Sequence, residues 1–282
     1  MLDKLFVWSQ YITPHHALSR AAGLLAESRA NSVKGPFIHW FAKRYGVNMS
    51  EAENADLDAY PNFNSFFTRA LRSGARPIAS EPGTLICPVD GAISQLGDVT
   101  DDRVFQAKGQ SFSLTELLGG DTQRATPFQD GHFATLYLSP KDYHRIHMPI
   151  TGTLKEMVHV PGRLFSVNPV TAANVPRLFA RNERVVALFD TEWGPMALVL
   201  VGAMIVASVE TVWSGLVAHR HNGITAVQYS GQQAITLEKG AEMGRFRLGS
   251  TVVMVMPRGS VKWDSAMTAG ASVRMGQAFG SR

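Results

Sequence analysis

Met196-Ala197-Leu198-Val199-Leu200-Val201-Gly202-Ala203-Met204-Ile205-Val206-Ala207-Ser208-Val209 is the longest predominantly apolar stretch of the chain. It falls short of the ~18 consecutive apolar residues that a membrane-spanning helix needs. Gly202 interrupts it, and its Val, Leu and Ile content suits strands buried in a core. The reading is of two core strands, 196–201 and 203–209. Working outward, the same texture recurs at 84–89, 92–96, 133–138, 184–189, 223–229 and 251–256, each run bounded by Gly, Pro, Asn or Asp. Short Val/Ile/Leu runs between turn residues read as strands. Their spacing is too tight for repeated βαβ units, so the body is expected to be antiparallel or mixed sheets in a sandwich or barrel-like arrangement.

Before residue 73 the texture is helical, which makes the whole an α+β chain. Thr13-Pro14 is a helix start signal ahead of helix formers from Ala17 to Ala30, and Pro36 opens a further segment. In that segment Phe37, Trp40 and Phe41 share one helical face at i, i+3 and i+4, flanked by Lys34, Lys43 and Arg44. The aromatics suit either the protein's own core or a membrane interface beside basic residues. Asn62 or Asn64 caps a helix running to Leu71, and Ser73-Gly74-Ala75-Arg76-Pro77 ends it. The expected organisation is a helical, membrane-interface segment at 1–72 and a β-rich catalytic domain at 73–282.

With 282 residues the chain can bury a full core. Its single cysteine, Cys87, rules out an internal disulfide framework and points to a reducing compartment. Cys87 lies in the apolar run Leu85-Ile86-Cys87-Pro88-Val89 and reads as a buried, inert thiol. The N-terminus has no sustained apolar region behind Asp3 and Lys4, so no cleaved signal peptide is expected. Six Lys and Arg against two acidic residues between positions 1 and 48 account for the whole net charge of +4. A basic end on a neutral body suits an anionic surface; a nucleic-acid partner would call for a denser basic patch.

Three stretches carry candidate chemistry. Pro88-Val89-Asp90-Gly91 is ordinary turn chemistry taken alone. Tyr143-His144-Arg145-Ile146-His147-Met148-Pro149 places two histidines three apart, suited to acid–base work near neutral pH. A zinc site would require a third ligand; His219 and His221 have no specific spacing, and there is no Cys pair or His-Glu-x-x-His. Leu248-Gly249-Ser250-Thr251 leads into a strand and lacks the Gly-x-Ser-x-Gly pattern of a nucleophile elbow.

Together these three motifs resemble the bacterial phosphatidylserine decarboxylases. The likeness extends through Phe63-Asn64-Ser65-Phe66-Phe67-Thr68-Arg69, Pro161-Gly162-Arg163-Leu164-Phe165-Ser166-Val167-Asn168-Pro169 and Asn182-Glu183-Arg184. The resemblance implies a precursor that cuts itself at Gly249-Ser250 into chains 1–249 and 250–282. Ser250 attacks the Gly249 carbonyl, with His147 as base and Asp90 as its orienting carboxylate. The ester eliminates, hydrolysis follows, and Ser250 becomes a pyruvoyl group. That ketone forms a Schiff base with the amine of phosphatidylserine and acts as the electron sink for loss of carbon dioxide, without metal or pyridoxal phosphate.

His144 is the expected proton donor in decarboxylation. Ser166 and Asn168 are candidate head-group contacts. Phe37, Trp40, Phe41, Lys43 and Arg44 would meet the anionic, cytoplasmic face of the cell membrane, where the protein would be peripheral. The resemblance also implies a homodimer of processed units. The alternatives weighed are a membrane-associated serine hydrolase using Asp90, His147 and Ser250, a non-catalytic membrane-binding β module, and a decarboxylase of a soluble amino acid.

Overall fold

The computed structural model describes residues 2–204, 209–217, 223–247 and 250–282, with the side chains of 2–5 and 250 excluded. Three helices open the chain: α1 (Leu2–Ile12), α2 (His15–Ala26) and α3 (Asn31–Tyr45). Helix α3 begins at Asn31, so Pro36 sits inside it rather than opening it. Gly46 ends α3 in the left-handed region, where the missing Cβ removes the steric cost. Helix α4 (Phe63–Phe67) is capped by the Asn62 side chain, which accepts from the Ser65 amide. Phe41, Phe63, Phe66 and Phe67 form a small core with Ile38, Ala26, Ala42 and Tyr60.

The body is a β structure in which every pair of strands among the described residues is antiparallel. The main sheet runs, in spatial order, Thr225–Gln228, Gly152–Val160, Arg184–Thr191, Gly194–Val201, Ser250–Met256, His132–Leu138, Gly91–Asp98 and Ser272–Val273. Ile235–Leu237 also pairs with Gly152–Val160. A smaller sheet joins Gly215–Val217, Val209–Thr211, Glu242–Phe246 and Arg145–His147. The strand expected at 196–201 is present as Gly194–Val201. Of the run expected at 203–209, residues 205–208 lie outside the described residues.

The central strands are apolar without interruption because both faces are covered. Along Ser250–Met256, Val252, Met254 and Met256 face one core, while Val253 and Val255 face the other. Gly194–Val201 divides in the same way: Met196, Leu198 and Leu200 on one side, Ala197, Val199 and Val201 on the other. A period of two applied to a continuous apolar run requires this arrangement. One core includes Cys87, Met148 and Phe246; the other includes Phe112, Phe165, Phe179 and, from α1, Val7.

Polar bonds tie the helices to the body. Gln10 on α1 is buried; its Oε1 accepts from the Ser166 amide at 2.8 Å, and its Nε2 donates to Thr171 Oγ1 at 3.2 Å. Glu27, just after α2, accepts from the side-chain amides of Asn62 and Asn64 and from Arg247 Nη1 at 2.8 Å. Among the described residues no helix is long and apolar enough to cross a membrane.

Candidate active site

Three sequence-distant motifs meet where the two larger sheets adjoin. The His147 amide donates to the Pro88 carbonyl at 2.9 Å, which draws Pro88-Val89-Asp90 against Arg145–His147. Arg145–His147 pairs with Glu242–Phe246, and the Phe246 amide donates to the His144 carbonyl at 3.0 Å. That strand leads toward Ser250, which opens the central strand opposite Leu138. Gly249 and Leu248 lie outside the described residues, as do His219 and His221.

His147 is buried, and both ring nitrogens are engaged. Nδ1 lies 2.8 Å from the Gly240 carbonyl, which can only accept, so Nδ1 carries the proton. Nε2 is then a lone pair, and it accepts from the Tyr143 hydroxyl at 3.0 Å. Burial holds His147 below the usual histidine range, partly offset by the Gly240 carbonyl. Burial likewise pushes the Tyr143 hydroxyl up to about 12, so it stays a donor.

His144 is fully buried, with its ring 3.9 Å from that of Phe67. Its Nδ1 donates to the Asp142 carbonyl at 2.9 Å, leaving Nε2 as a lone pair with no partner among the described residues. Burial pushes its pKa down to about 3, and the charge of Arg69 adds in the same direction. Both histidines are therefore neutral bases in the resting protein.

Asp90 is buried on an ion pair. Its carboxylate accepts from Arg76 Nε at 2.9 and 3.1 Å and from Arg76 Nη2, and Oδ1 also accepts from the Met275 amide at 2.9 Å. Arg76 also donates to Glu51 at 2.8 Å, and the Asp90 bond chiefly raises its pKa. The group that orients the His147 ring is thus the Gly240 carbonyl; Asp90 reaches His147 through its charge. Asp90 opens onto a cavity of about 560 Å³ lined also by Arg69, Tyr137, Ser139, Lys141, Tyr143 and Arg274.

A family model described as phosphatidylserine decarboxylase matches residues 63–281, and one described as PSD matches residues 5–46. The chain belongs to the phosphatidylserine decarboxylase family. A phosphatidylserine decarboxylase proenzyme of Marinobacter nauticus is 68% identical over 99% of this chain and 98% of its own. One of Ectopseudomonas mendocina is 62% identical over 100% and 99%, and one of Pseudomonas putida is 61% identical over 98% and 97%.

Within this decarboxylase-family fold, Asp90, His144 and His147 come together beside the Glu242–Phe246 strand, which precedes Ser250 in the chain. Ser166 and Asn168 have mainly local duties. Asn168 Oδ1 caps Pro169–Asn174 by accepting from the Thr171 amide at 2.9 Å, and the Ser166 amide is taken by Gln10. The aromatic face expected at Phe37, Trp40 and Phe41 divides. Phe41 is buried against Phe63, Phe66 and Phe67 rather than on a membrane-facing side, since α3 turns that side toward the α4 aromatics. Phe37 stacks on Phe63 at 4.4 Å, whereas Trp40 is 56% exposed.

Sequence reasoning missed Tyr143 and Arg69, although both lie inside motifs it used. It also missed Gly240, Arg76 and Gln10, which carried no pattern of their own. Among the described residues no three His, Cys, Asp or Glu side chains gather as a metal site.

Proposed function

We propose that this chain is a phosphatidylserine decarboxylase proenzyme that cuts itself at Gly249-Ser250 and releases carbon dioxide from phosphatidylserine to leave phosphatidylethanolamine. The observation that carries the reading is a pair of buried, neutral histidines against the strand Glu242–Phe246 that precedes Ser250 in sequence, in a chain 68% identical to a protein named for that activity.

In cleavage, the Ser250 hydroxyl adds to the Gly249 carbonyl and gives its proton to His147 Nε2. The chain rearranges from amide to ester; elimination then frees the Gly249 carboxyl, and hydrolysis with loss of ammonia leaves a pyruvoyl group at residue 250. His147 is suited to this because the Gly240 carbonyl holds Nδ1–H and leaves Nε2 basic. Tyr143 must give up its bond to that lone pair as the proton arrives. The charge of Asp90 supports the charge that develops on His147, and Arg76 holds the carboxylate in place.

The residues around position 250 fit such a group. Thr251 onward is laddered to strands on both sides, which would hold the new terminus after a cut. His144 Nε2 and Thr251 Oγ1 are buried polar atoms without partners among the described residues. When formed, the pyruvoyl group supplies a carbonyl that accepts the electron pair left by the departing carboxylate. His144 takes a proton from the substrate ammonium at Nε2 and returns it to the carbon that lost the carboxylate. A neutral base does this where a resting acid could not, and such a positioned group contributes typically ~10²–10⁴-fold.

A bilayer substrate calls for membrane contact. Trp8, Ile12, Leu24 and Trp40 are each more than half exposed on α1–α3, with Lys43 and Arg44 in the last turn of α3. These residues are the proposed peripheral contact with an anionic cytoplasmic leaflet. A homodimer would use the Thr225–Gln228 edge, whose one ladder partner among the described residues is Gly152–Val160 and which exposes Ile224 and Val227.

Intact mass with and without hydroxylamine tests the reading. Two chains are expected, the smaller beginning at residue 250 with a blocked, hydroxylamine-reactive terminus, and Ser250→Ala is expected to remain whole and inactive. A single chain of 30.8 kDa in an active preparation would instead favour a serine hydrolase.

A further inference from the structure

Arg69 is 4% exposed and makes no ion pair among the described residues. Its Nη2 donates to the Lys141 carbonyl at 3.0 Å and grazes that of Asp142 at 3.4 Å. Nε and Nη1 are buried with no acceptor, and the Phe66 ring lies 5.7 Å from Cζ. The surrounding carboxylates are committed elsewhere. Glu51 and Asp90 hold Arg76, and Asp142 Oδ2 takes the Ser139 amide and hydroxyl. A buried guanidinium left without a counter-charge is costly unless something else supplies one.

Arg69 lines the 560 Å³ cavity that Asp90 and Tyr143 share, together with Arg76, which Asp90 and Glu51 hold, and two exposed cations, Lys141 and Arg274. Gly46 and Asn48, just past α3, line it too, which puts the cavity beside the helix that carries Trp40.

We propose that Arg69, with Lys141 and Arg274, is an anion subsite that takes the phosphate of a phosphodiester head group. Its identity as a head-group subsite rests on the function proposed above. A guanidinium with N–H groups that meet no acceptor can give charge-assisted hydrogen bonds to phosphate oxygens. The other anion of a serine head group is the wrong occupant. A carboxylate paired with Arg69 would be stabilised before it leaves and lose that contact as carbon dioxide, which raises the barrier. The phosphate keeps its charge throughout, so binding energy spent there positions the reacting end.

The test uses the purified wild-type protein and the variants Arg69→Gln, Arg69→Lys and Lys141→Gln/Arg274→Gln. Thermal unfolding is followed with inorganic phosphate or glycerophosphoserine at constant ionic strength, and decarboxylation is followed with phosphatidylserine in detergent micelles. Expected results are a rise in Tm with glycerophosphoserine that Arg69→Gln abolishes, and a KM raised about ten- to hundredfold in processed Arg69→Gln, the range of a charge-assisted hydrogen bond. The kcat should change less, and Arg69→Lys should recover part of the loss.

Where Arg69→Gln does not process, the double variant carries the test, because both of its side chains are exposed. An unchanged KM and an unchanged glycerophosphoserine response in that variant would overturn the proposal. So would a response to inorganic phosphate alone. An Arg69-dependent shift in a protein that releases no carbon dioxide would remove the proposed activity and keep the anion subsite.

Discussion

His144 and His147 share a strand region and a chemical type, yet their second nitrogens differ. His147 Nε2 already accepts a hydrogen bond from the Tyr143 hydroxyl, and His144 Nε2 has no partner among the described residues. The first is a base kept in reserve by a partner that can step aside; the second is a base waiting for a substrate. His144→Ala is therefore expected to leave two chains on a denaturing gel while decarboxylation falls by at least about a hundredfold. His147→Ala is expected to leave the precursor whole. Tyr143→Phe is expected to slow cleavage in a time course without stopping it, since Gly240 still holds the ring.

Burial lowers both histidines in the folded state, His144 to about 3. The unfolded chain binds protons at these positions as pH falls below about 6.5, and the folded chain resists doing so. The stability His144 contributes is thus complete above about 6.5 and is lost progressively on acidification toward 3, at about 1.4 kcal/mol per pH unit, and His147 acts in the same direction. Urea unfolding of His144→Asn between neutral pH and pH 4 should show a shallower acid-side decline than the parent.

At the scale of elements, the site depends on a close approach of two strands. Gly91 opens Gly91–Asp98 at φ +156°, where an added Cβ would lie 2.2 Å from the Tyr137 carbonyl oxygen. That atom is backbone in the strand that also faces Ser250, so it has nowhere to move. Gly91→Ala is expected to part the strands beside Asp90, lower Tm by several degrees and leave the precursor uncut, read by calorimetry and gel. Gln10 does an analogous job between a helix and a loop, spanning the Ser166 amide and Thr171. The loop residues 161–169 were legible as a motif; that a buried glutamine from α1 pins them was not, because one polar residue in an amphipathic helix has no periodic signature.

For the whole molecule, the division of the α3 aromatics separates stability from membrane contact. Phe41→Ala removes a buried ring and is expected to cost about 3–5 kcal/mol in urea unfolding. Trp8→Ala/Leu24→Ala/Trp40→Ala removes exposed side chains and should leave stability nearly unchanged while reducing flotation with anionic liposomes. Equal flotation of parent and triple variant would sink the membrane reading.

The α+β class followed from the sequence alone because two periodicities meet at one point in the chain. Helical spacing before residue 73 gives way to short apolar runs, and Val252–Met256 is apolar at every step because a central strand must satisfy two cores. The candidate residues Asp90, His144, His147 and Ser250 could be named only through the family resemblance, since each of their motifs taken alone reads as ordinary turn or structural chemistry. The tertiary structure decided which group touches which. Asp90 turned to Arg76, the ring of His147 to the Gly240 carbonyl, Phe41 to α4, and Arg69 to a cavity where no carboxylate among the described residues pairs with it. Hydrogen-bond partners distant in sequence follow from how sheets and helices pack, and no spacing rule along the chain encodes them.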